Sequence, residues 1–435
     1  MSHQRDREHR VVVTGIGVVS PIGIGVDAFW DSLLNLRQGI GPVEMLSASP
    51  LPHHVAGEVK GFEAGKHTKT KDQKKSLKVM CRDIQLGVVS AWQALDHAGV
   101  VPGAVEPERL GVEFGANLML CPPPELARAC YACLDDQGRF VFEQWGTKGL
   151  GDMEPLWLLK FLPNMPACHI GIAADARGPN NSITLDDASG GLVLGEALRV
   201  IARGHADIII TGATGTRLHS VKSMHQAMWN KLADAPEGQV PACRPFDLRR
   251  NGQIVGEAAA TLILEEEEHA RKRGAKTYGR ILGAGAACVA PKTGNRGDVR
   301  KALALAMKNA LADARVTPAD VGHICAHASG DPDEDRQEAL AIHDVFGDLG
   351  SKVPVTALKS YFGNSGSGSG VLELAGSLVA LSRGFIPATL NYEQPDPACP
   401  LNVVAGAHLA TSNKIVLKAN VTMMGQASAV VACGV

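Results

Sequence analysis

The sequence predicts an α/β protein with a largely parallel, buried sheet. Short apolar runs of strand length alternate with longer amphipathic stretches of helical spacing, the pattern of strands covered on both faces by crossover helices. The 48 glycines among 435 residues supply tight turns and close backbone approaches. Length alone allows a large core and two or three domain-sized units. In order, the first strand is Val11-Val12-Val13-Thr14-Gly15, and the first long helix covers residues 84–98. Residues 117–170 break the alternation. There Cys121-Pro122-Pro123-Pro124 leads into an aromatic, Trp-containing stretch, expected to be an insertion that covers a pocket or a subunit interface. A helix over 191–203 and strands at Ile208-Ile209-Ile210-Thr211-Gly212 and Thr261-Leu262-Ile263-Leu264 follow. The charge-dense run 265–276 is expected to present a solvated helix face. A change of unit near residues 277–285 is marked by Tyr278-Gly279-Arg280-Ile281-Leu282-Gly283-Ala284-Gly285, a fresh strand that loosely echoes residues 11–17. Beyond it come a helix over 299–314, strands Ile324-Cys325-Ala326-His327 and Val353-Pro354-Val355-Thr356, and a helix over 371–382.

Forty-three basic against 45 acidic residues leave the chain almost neutral, with no global field to draw nucleic acid or an anionic membrane. No apolar run reaches the roughly 18–20 residues that span a bilayer. The polar start, Met1 to Arg10, lacks the apolar segment of a signal peptide, so a cytoplasmic location is expected. Ten scattered cysteines, many in apolar strings such as Val431-Ala432-Cys433, suggest buried free thiols rather than a disulfide framework. Cys130-x-x-Cys133 has no second pair and no clear histidine partners, a weak zinc signal; no metal or cofactor is expected. Lys66, Lys69, Lys71, Lys74, Lys75 and Lys78 form the one obvious basic cluster. Its first reading is a solvated helix face; its second is a docking patch for an acidic protein, with affinity that falls as salt rises.

The run Gly178-Pro179-Asn180-Asn181-Ser182-Ile183-Thr184-Leu185-Asp186-Asp187-Ala188-Ser189-Gly190 resembles the nucleophile elbow of the β-ketoacyl-ACP synthases, the condensing enzymes of fatty-acid and polyketide synthesis. That turn reads roughly G-P-x-x-x-I-x-T-A-C-x-S-G in the family. Counting from either end puts Asp187 in the cysteine's place. Val11 to Gly23, Leu162-Pro163-Asn164-Met165-Pro166-Ala167, and Arg244-Pro245-Phe246-Asp247 with Arg250-x-Gly252 and Gly256-Glu257 resemble further family segments, in family order. The resemblance runs from about residue 9 to the C-terminus. It implies a thiolase-like fold, a layered α-β-α-β-α core of two related βαβ-rich halves. These are expected at 9–276, with the insertion, and 277–435.

At such an elbow, backbone N–H groups and the helix dipole lower a thiol's pKa and support an oxyanion. Asp187 suits that place as an N-cap. Its attack on a thioester would give a high-energy anhydride, so a structural or binding role is favoured over covalent catalysis. The family's A-H-G-T-x-T-P-x-G-D motif matches residues 326–335 and keeps the first catalytic histidine as His327. Ser329 can replace a threonine hydroxyl that helps hold the carrier's pantetheine arm, while Asp331 replaces another with a charge. Read as a calcium loop, the acidic run has Arg336 where glycine is needed. In the K-x-x-x-G-H motif Lys359 is kept and Asn364 takes the second histidine's place. Asparagine can donate to an oxyanion but cannot carry a proton; the resemblance also implies that Asn364 alone would not abolish chemistry, since a Cys-His-Asn set works in other condensing enzymes of this superfamily. Residues 363–370 look like a linker, yet by the family pattern they form the small-residue entry to a buried helix. The family's last loop, N-S-F-G-F-G-G-T-N, becomes residues 420–428, with Met424 at the gate beside Gly425, and Met423 and Gln426 replacing glycines. Side chains there would strain a backbone with φ > 0, so another path is expected.

The resemblance thus implies catalytic positions at Asp187, His327, Asn364 and Lys359, and substrate-binding positions at Ser329, Asp331, Met424 and Gly425. It also implies work on acyl chains borne by acyl carrier protein, in a homodimer or a heterodimer with an intact ketosynthase. Two readings stay open. One is a condensation-defective, chain-length-factor-like partner or acyl-binding subunit. The other is an enzyme of altered chemistry on acyl- or malonyl-ACP, with Asp187 as general base for hydrolysis or proton abstraction. A conventional condensing enzyme using Cys168 or Cys325 ranks last.

Overall fold

Five strands of the first half, β1 (Val11–Ser20), β2 (Leu110–Ala116), β3 (Asn180–Ile183), β4 (Ile208–Thr216) and β5 (Glu257–Glu266), line up as β3-β2-β4-β5-β1. Five later ones, β6 (Gly279–Cys288), β7 (His323–Cys325), β8 (Pro354–Thr356), β9 (Ile415–Val421) and β10 (Gln426–Gly434), line up as β8-β7-β9-β10-β6. The two orders are the same, and so are the directions. In each set the first three strands run parallel and the last two pairings are antiparallel. A short ladder from Val11↔Ile281 to Val13↔Gly279 joins the two sets into one sheet. The computed structural model describes residues 10–101, 103–294 and 296–435; the polar start of the chain lies outside the described residues up to residue 9.

The sheet is therefore mixed, not largely parallel. A parallel return needs a crossover of roughly a dozen residues, whereas β9 turns back into β10 through a tight hairpin at residues 422–425.

Helices α1 (Arg82–Ala98) and α2 (Met165–Ala174) cover the outer face of the first strand set. Between the two sets lie α3 (Ser189–Ala202) and, further along the chain, a second helix that touches both. Before it come α4 (Ser220–Trp229), on the surface, and α5 (Val299–Ala314) and α6 (Pro332–Phe346), which cover the second outer face. The second inner helix is α7 (Ser367–Leu381), buried along its whole length. This is the layered α-β-α-β-α core of the thiolase fold. Residues 363–370 are no linker: Gly368 lies against the Ala258 carbonyl, an approach that a β-carbon would block.

One surface expectation changes. The charge-dense run is solvated only in part, because Glu265 at the end of β5 is fully buried. Burial pushes its carboxyl up, but Arg273, at 2.6 Å from each oxygen, together with Thr14 and His269, holds it below the ordinary glutamate range. Residues 117–170 carry the helix Pro123–Ala132, short helical turns such as Phe142–Gln144 and the start of α2, and expose Tyr131, Phe142, Leu150, Leu156 and Leu158. No helix among the described residues is long and apolar enough to cross a membrane.

Candidate active site

A single helical turn, Asp186–Ala188, joins the end of β3 to the start of α3. Asp186 takes φ 44° there, a left-handed conformation that costs a residue with a β-carbon about 1–3 kcal/mol. The turn buries the Asp187 side chain, leaving the residue 4% exposed. Asp187 is not the N-cap of α3, a place held by Ala188, and among the described residues no side chain caps that helix. Its partner is Arg217, directly after β4. Nη2 of Arg217 donates to Asp187 Oδ2 at 2.8 Å and to both Asp186 oxygens at 3.0 and 2.9 Å. Nη1 donates to Gln253 Oε1 at 3.2 Å, which also accepts from Asn364 Nδ2 at 3.0 Å. Asp187 Oδ1 has no hydrogen-bond partner among the described residues. Burial pushes the Asp187 carboxyl above the ordinary aspartate range, Arg217 pulls it down, and Asp186 pushes it further up.

His327 follows β7, and its position is fixed through the backbone. Its N–H and that of Ala328 donate to the two oxygens of Glu338, each at 2.7 Å. Lys359 Nζ donates to the His327 carbonyl at 2.7 Å and to Glu373 at 2.8 Å, and lies 3.4 Å from His327 Nδ1. Asn420 Nδ2 is also 3.4 Å from Nδ1. An ammonium and an amide NH2 offer only protons, so Nδ1 accepts and Nε2 carries the ring proton. Burial, with the cations Lys359, Lys418 and Arg217, holds His327 well below 6.5 and therefore neutral. Glu373 is shared by Lys359 and Lys418, each at 2.8 Å, and all three are buried.

A cavity of about 170 Å³ has Asp187, Arg217, Gln253, His327, Glu334 and Asn364 in its wall, with Trp229 and Met423. An adjoining opening of about 400 Å³ shares Asp186, Arg217 and Met423 and adds Leu118, Thr184 and Met424. Three expected residues, Asp187, His327 and Asn364, thus meet in one cavity, with Lys359 directly behind His327. Gly425 forms the hairpin instead: its N–H donates to Thr422 O at 2.9 Å, and it alone in residues 422–426 takes a positive φ, 76°. This three-residue turn with glycine in the left-handed place leaves Met423 and Gln426 unstrained.

Ser329 and Asp331 are engaged elsewhere. Ser329 Oγ donates to Glu334 Oε2 at 2.9 Å, and Asp331 Oδ1 accepts from the N–H groups of Asp333 and Glu334 at 2.8 and 3.1 Å. Asp331 is the N-cap of α6, with Pro332 in the first turn. Asp331→Ala should therefore lower stability by about 1 kcal/mol, read from urea unfolding; an unchanged midpoint would remove the capping role. Cys325 is buried, and burial pushes its thiol up to about 11. Cys168 lies on α2, on the outer layer. Arg217, Gln253, Glu334 and Trp229 escaped the sequence reading. Only Glu334 carried a signal, inside an acidic run read for calcium.

Fold and elbow together define a thiolase-fold protein of the ketosynthase type. The chain belongs to the β-ketoacyl synthase family of fatty-acid and polyketide biosynthesis. Residues 8–270 match the model "Beta-ketoacyl synthase, N-terminal domain", and residues 278–393 match "Beta-ketoacyl synthase, C-terminal domain". The chain is 32% identical over 402 residues to 3-oxoacyl-[acyl-carrier-protein] synthase 2 of Synechocystis sp., covering 91% of each chain. It is 34% identical to the tetracenomycin polyketide synthase ketoacyl synthase alpha subunit of Streptomyces glaucescens, over 92% of this chain and 91% of that one. Among solved structures it resembles the ishigamide ketosynthase/chain length factor, with a TM-score of 0.84 and 27% identity over 98% of this chain and 100% of that one.

Proposed function

We propose that this chain is a non-condensing ketosynthase homologue that binds acyl chains carried by acyl carrier protein, as a chain-length-factor-like subunit in the cytoplasm. One observation carries the reading: where a condensing enzyme needs a thiolate, Asp187 is buried in an ion pair with Arg217 at 2.8 Å. Asn364, in place of the second histidine, is hydrogen-bonded to Gln253 and cannot carry a proton. The repeated strand order supports two halves, 9–276 and 277–435. Support for a dimer, with itself or with an intact ketosynthase, comes from the edge strand β3 and the exposed apolar side chains of residues 117–170. The exposed lysines of residues 66–78 suit an acidic carrier protein. Three of them also pair with acidic neighbours: Lys66 with Glu63, Lys69 with Asp96 and Lys75 with Asp72. A type II polyketide acyl carrier protein has been seen in complex with its ketosynthase in a similar structure, 25% identical.

Incubation with acyl-ACP and malonyl-ACP should leave the protein's intact mass unchanged and form no β-ketoacyl product. A covalent acyl adduct or a condensation product would overturn the proposal. The unpartnered Asp187 Oδ1 keeps a second reading in view, Asp187 as general base. Release of free acid from acyl-ACP, lost in Asp187→Asn, would favour it.

A further inference from the structure

The cavity at the elbow presents acceptors, because several of its donors are already engaged by oxygens of the same wall. Arg217 Nη2 serves three carboxylate oxygens, and both Arg217 Nη1 and Asn364 Nδ2 donate to Gln253 Oε1. On the acceptor side, Asp187 Oδ1 sits on a residue 4% exposed and has no partner among the described residues. An unpaired buried acceptor of this kind is costly until a donor reaches it. Glu334 lines the same cavity with a side chain 13% exposed. Its Oε2 accepts from Ser329, and its Oε1 lies 3.6 Å from Arg296 Nη1, too long for a good hydrogen bond. Asp186 adds a third, half-exposed carboxylate at the mouth. Among the described residues Arg217 is the one arginine or lysine in this wall, His327 is neutral, and Trp229 contributes an aromatic ring. A ligand carboxylate would meet like charge here. A cationic donor would meet Asp187 Oδ1, Glu334 and an aromatic surface.

We propose that this pocket takes an acyl thioester whose chain carries a protonated amine. The ammonium is received by Asp187 Oδ1 and Glu334, and the thioester carbonyl faces His327 Nε2–H. Glu334 is then the specificity-determining residue. Burial and the neighbouring Asp331 push its carboxyl up to about 7, and a bound cation draws it back to the ionised form. The inference rests on the acyl-binding reading above and adds the substrate's charge.

Three pantetheine amides of similar size, with an amide replacing the thioester, test it by calorimetric titration: β-alanyl (ammonium), butyryl (neutral) and malonyl (carboxylate). The β-alanyl probe should bind roughly tenfold or more tighter than butyryl, the worth of one charge-assisted hydrogen bond, and malonyl should bind weakest. Glu334→Gln should reduce the β-alanyl to butyryl ratio to about threefold or less. The comparison in the unaltered protein needs no variant to fold. Butyryl or malonyl binding as tightly as β-alanyl overturns the amine inference and leaves acyl binding standing. No binding by any of the three overturns the acyl-binding reading as well. A ratio unmoved by Glu334→Gln removes the role of Glu334.

Discussion

Asp187→Cys is expected to form no β-ketoacyl product from acyl-ACP and malonyl-ACP, although its new thiol should be reactive. Arg217 Nη2, 2.8 Å from the present carboxylate, and the N-terminus of α3 both favour a thiolate at that place. The variant should therefore take up iodoacetamide readily. Condensation fails at the next step. Asn364 cannot supply the proton a second histidine would, a contribution of about 10²–10⁴-fold in rate where general acid–base catalysis operates. Asp186 and Glu334 would oppose the malonyl carboxylate that must enter the same cavity. Labelled carbon dioxide release and product mass spectra check the outcome. Turnover comparable to an intact ketosynthase would show that the remodelling around Asp187 is superficial.

How far the sequence could be read depended on whether a feature is local. The β4 run Ile208-Ile209-Ile210 and the α5 pattern over 299–314 declare themselves, because burial on both faces or on one stripe fixes composition. Strand direction does not, since the antiparallel returns of β5 and β10 depend on how the connections travel. Asp187 was found by register, fixed by Gly178-Pro179 at one end and Ser189-Gly190 at the other. Arg217 was not. A lone arginine after a strand looks like any solvated residue until a fold brings it to a carboxylate 30 positions away. At Asp331 the reverse holds. Asp331-Pro332 followed by Glu334 is a local helix-start signal, passed over because Asp331 was read only by its place in the family motif. In Glu265 a strand's final turn inward was hidden by the charged residues after it.

The same ion pair predicts the largest loss of stability. Arg217→Ala leaves Asp187 buried, its side chain 6% exposed, without its counter-charge. Breaking a buried pair from one side costs about 3–5 kcal/mol. The loss should depend on pH, and its sign follows from the direction of the shift. Burial already raises the Asp187 carboxyl in the folded protein, and without Arg217 it rises further. Between the unfolded aspartate value and that raised one, the folded state holds a proton that the unfolded state releases. Stability of Arg217→Ala should therefore be best in acid and should fall as pH rises through this window. Asp187→Asn added to Arg217→Ala removes both the stranded charge and its titration, so the double variant should recover much of the loss and lose the added slope. Urea unfolding of the four proteins at pH 5 and pH 8 measures all of this as a double-mutant cycle. If Arg217→Ala loses only about 1 kcal/mol, and equally at both values, Asp187 is already neutral. The clamp that keeps a carboxylate where a thiolate is needed would then be a hydrogen bond and nothing more.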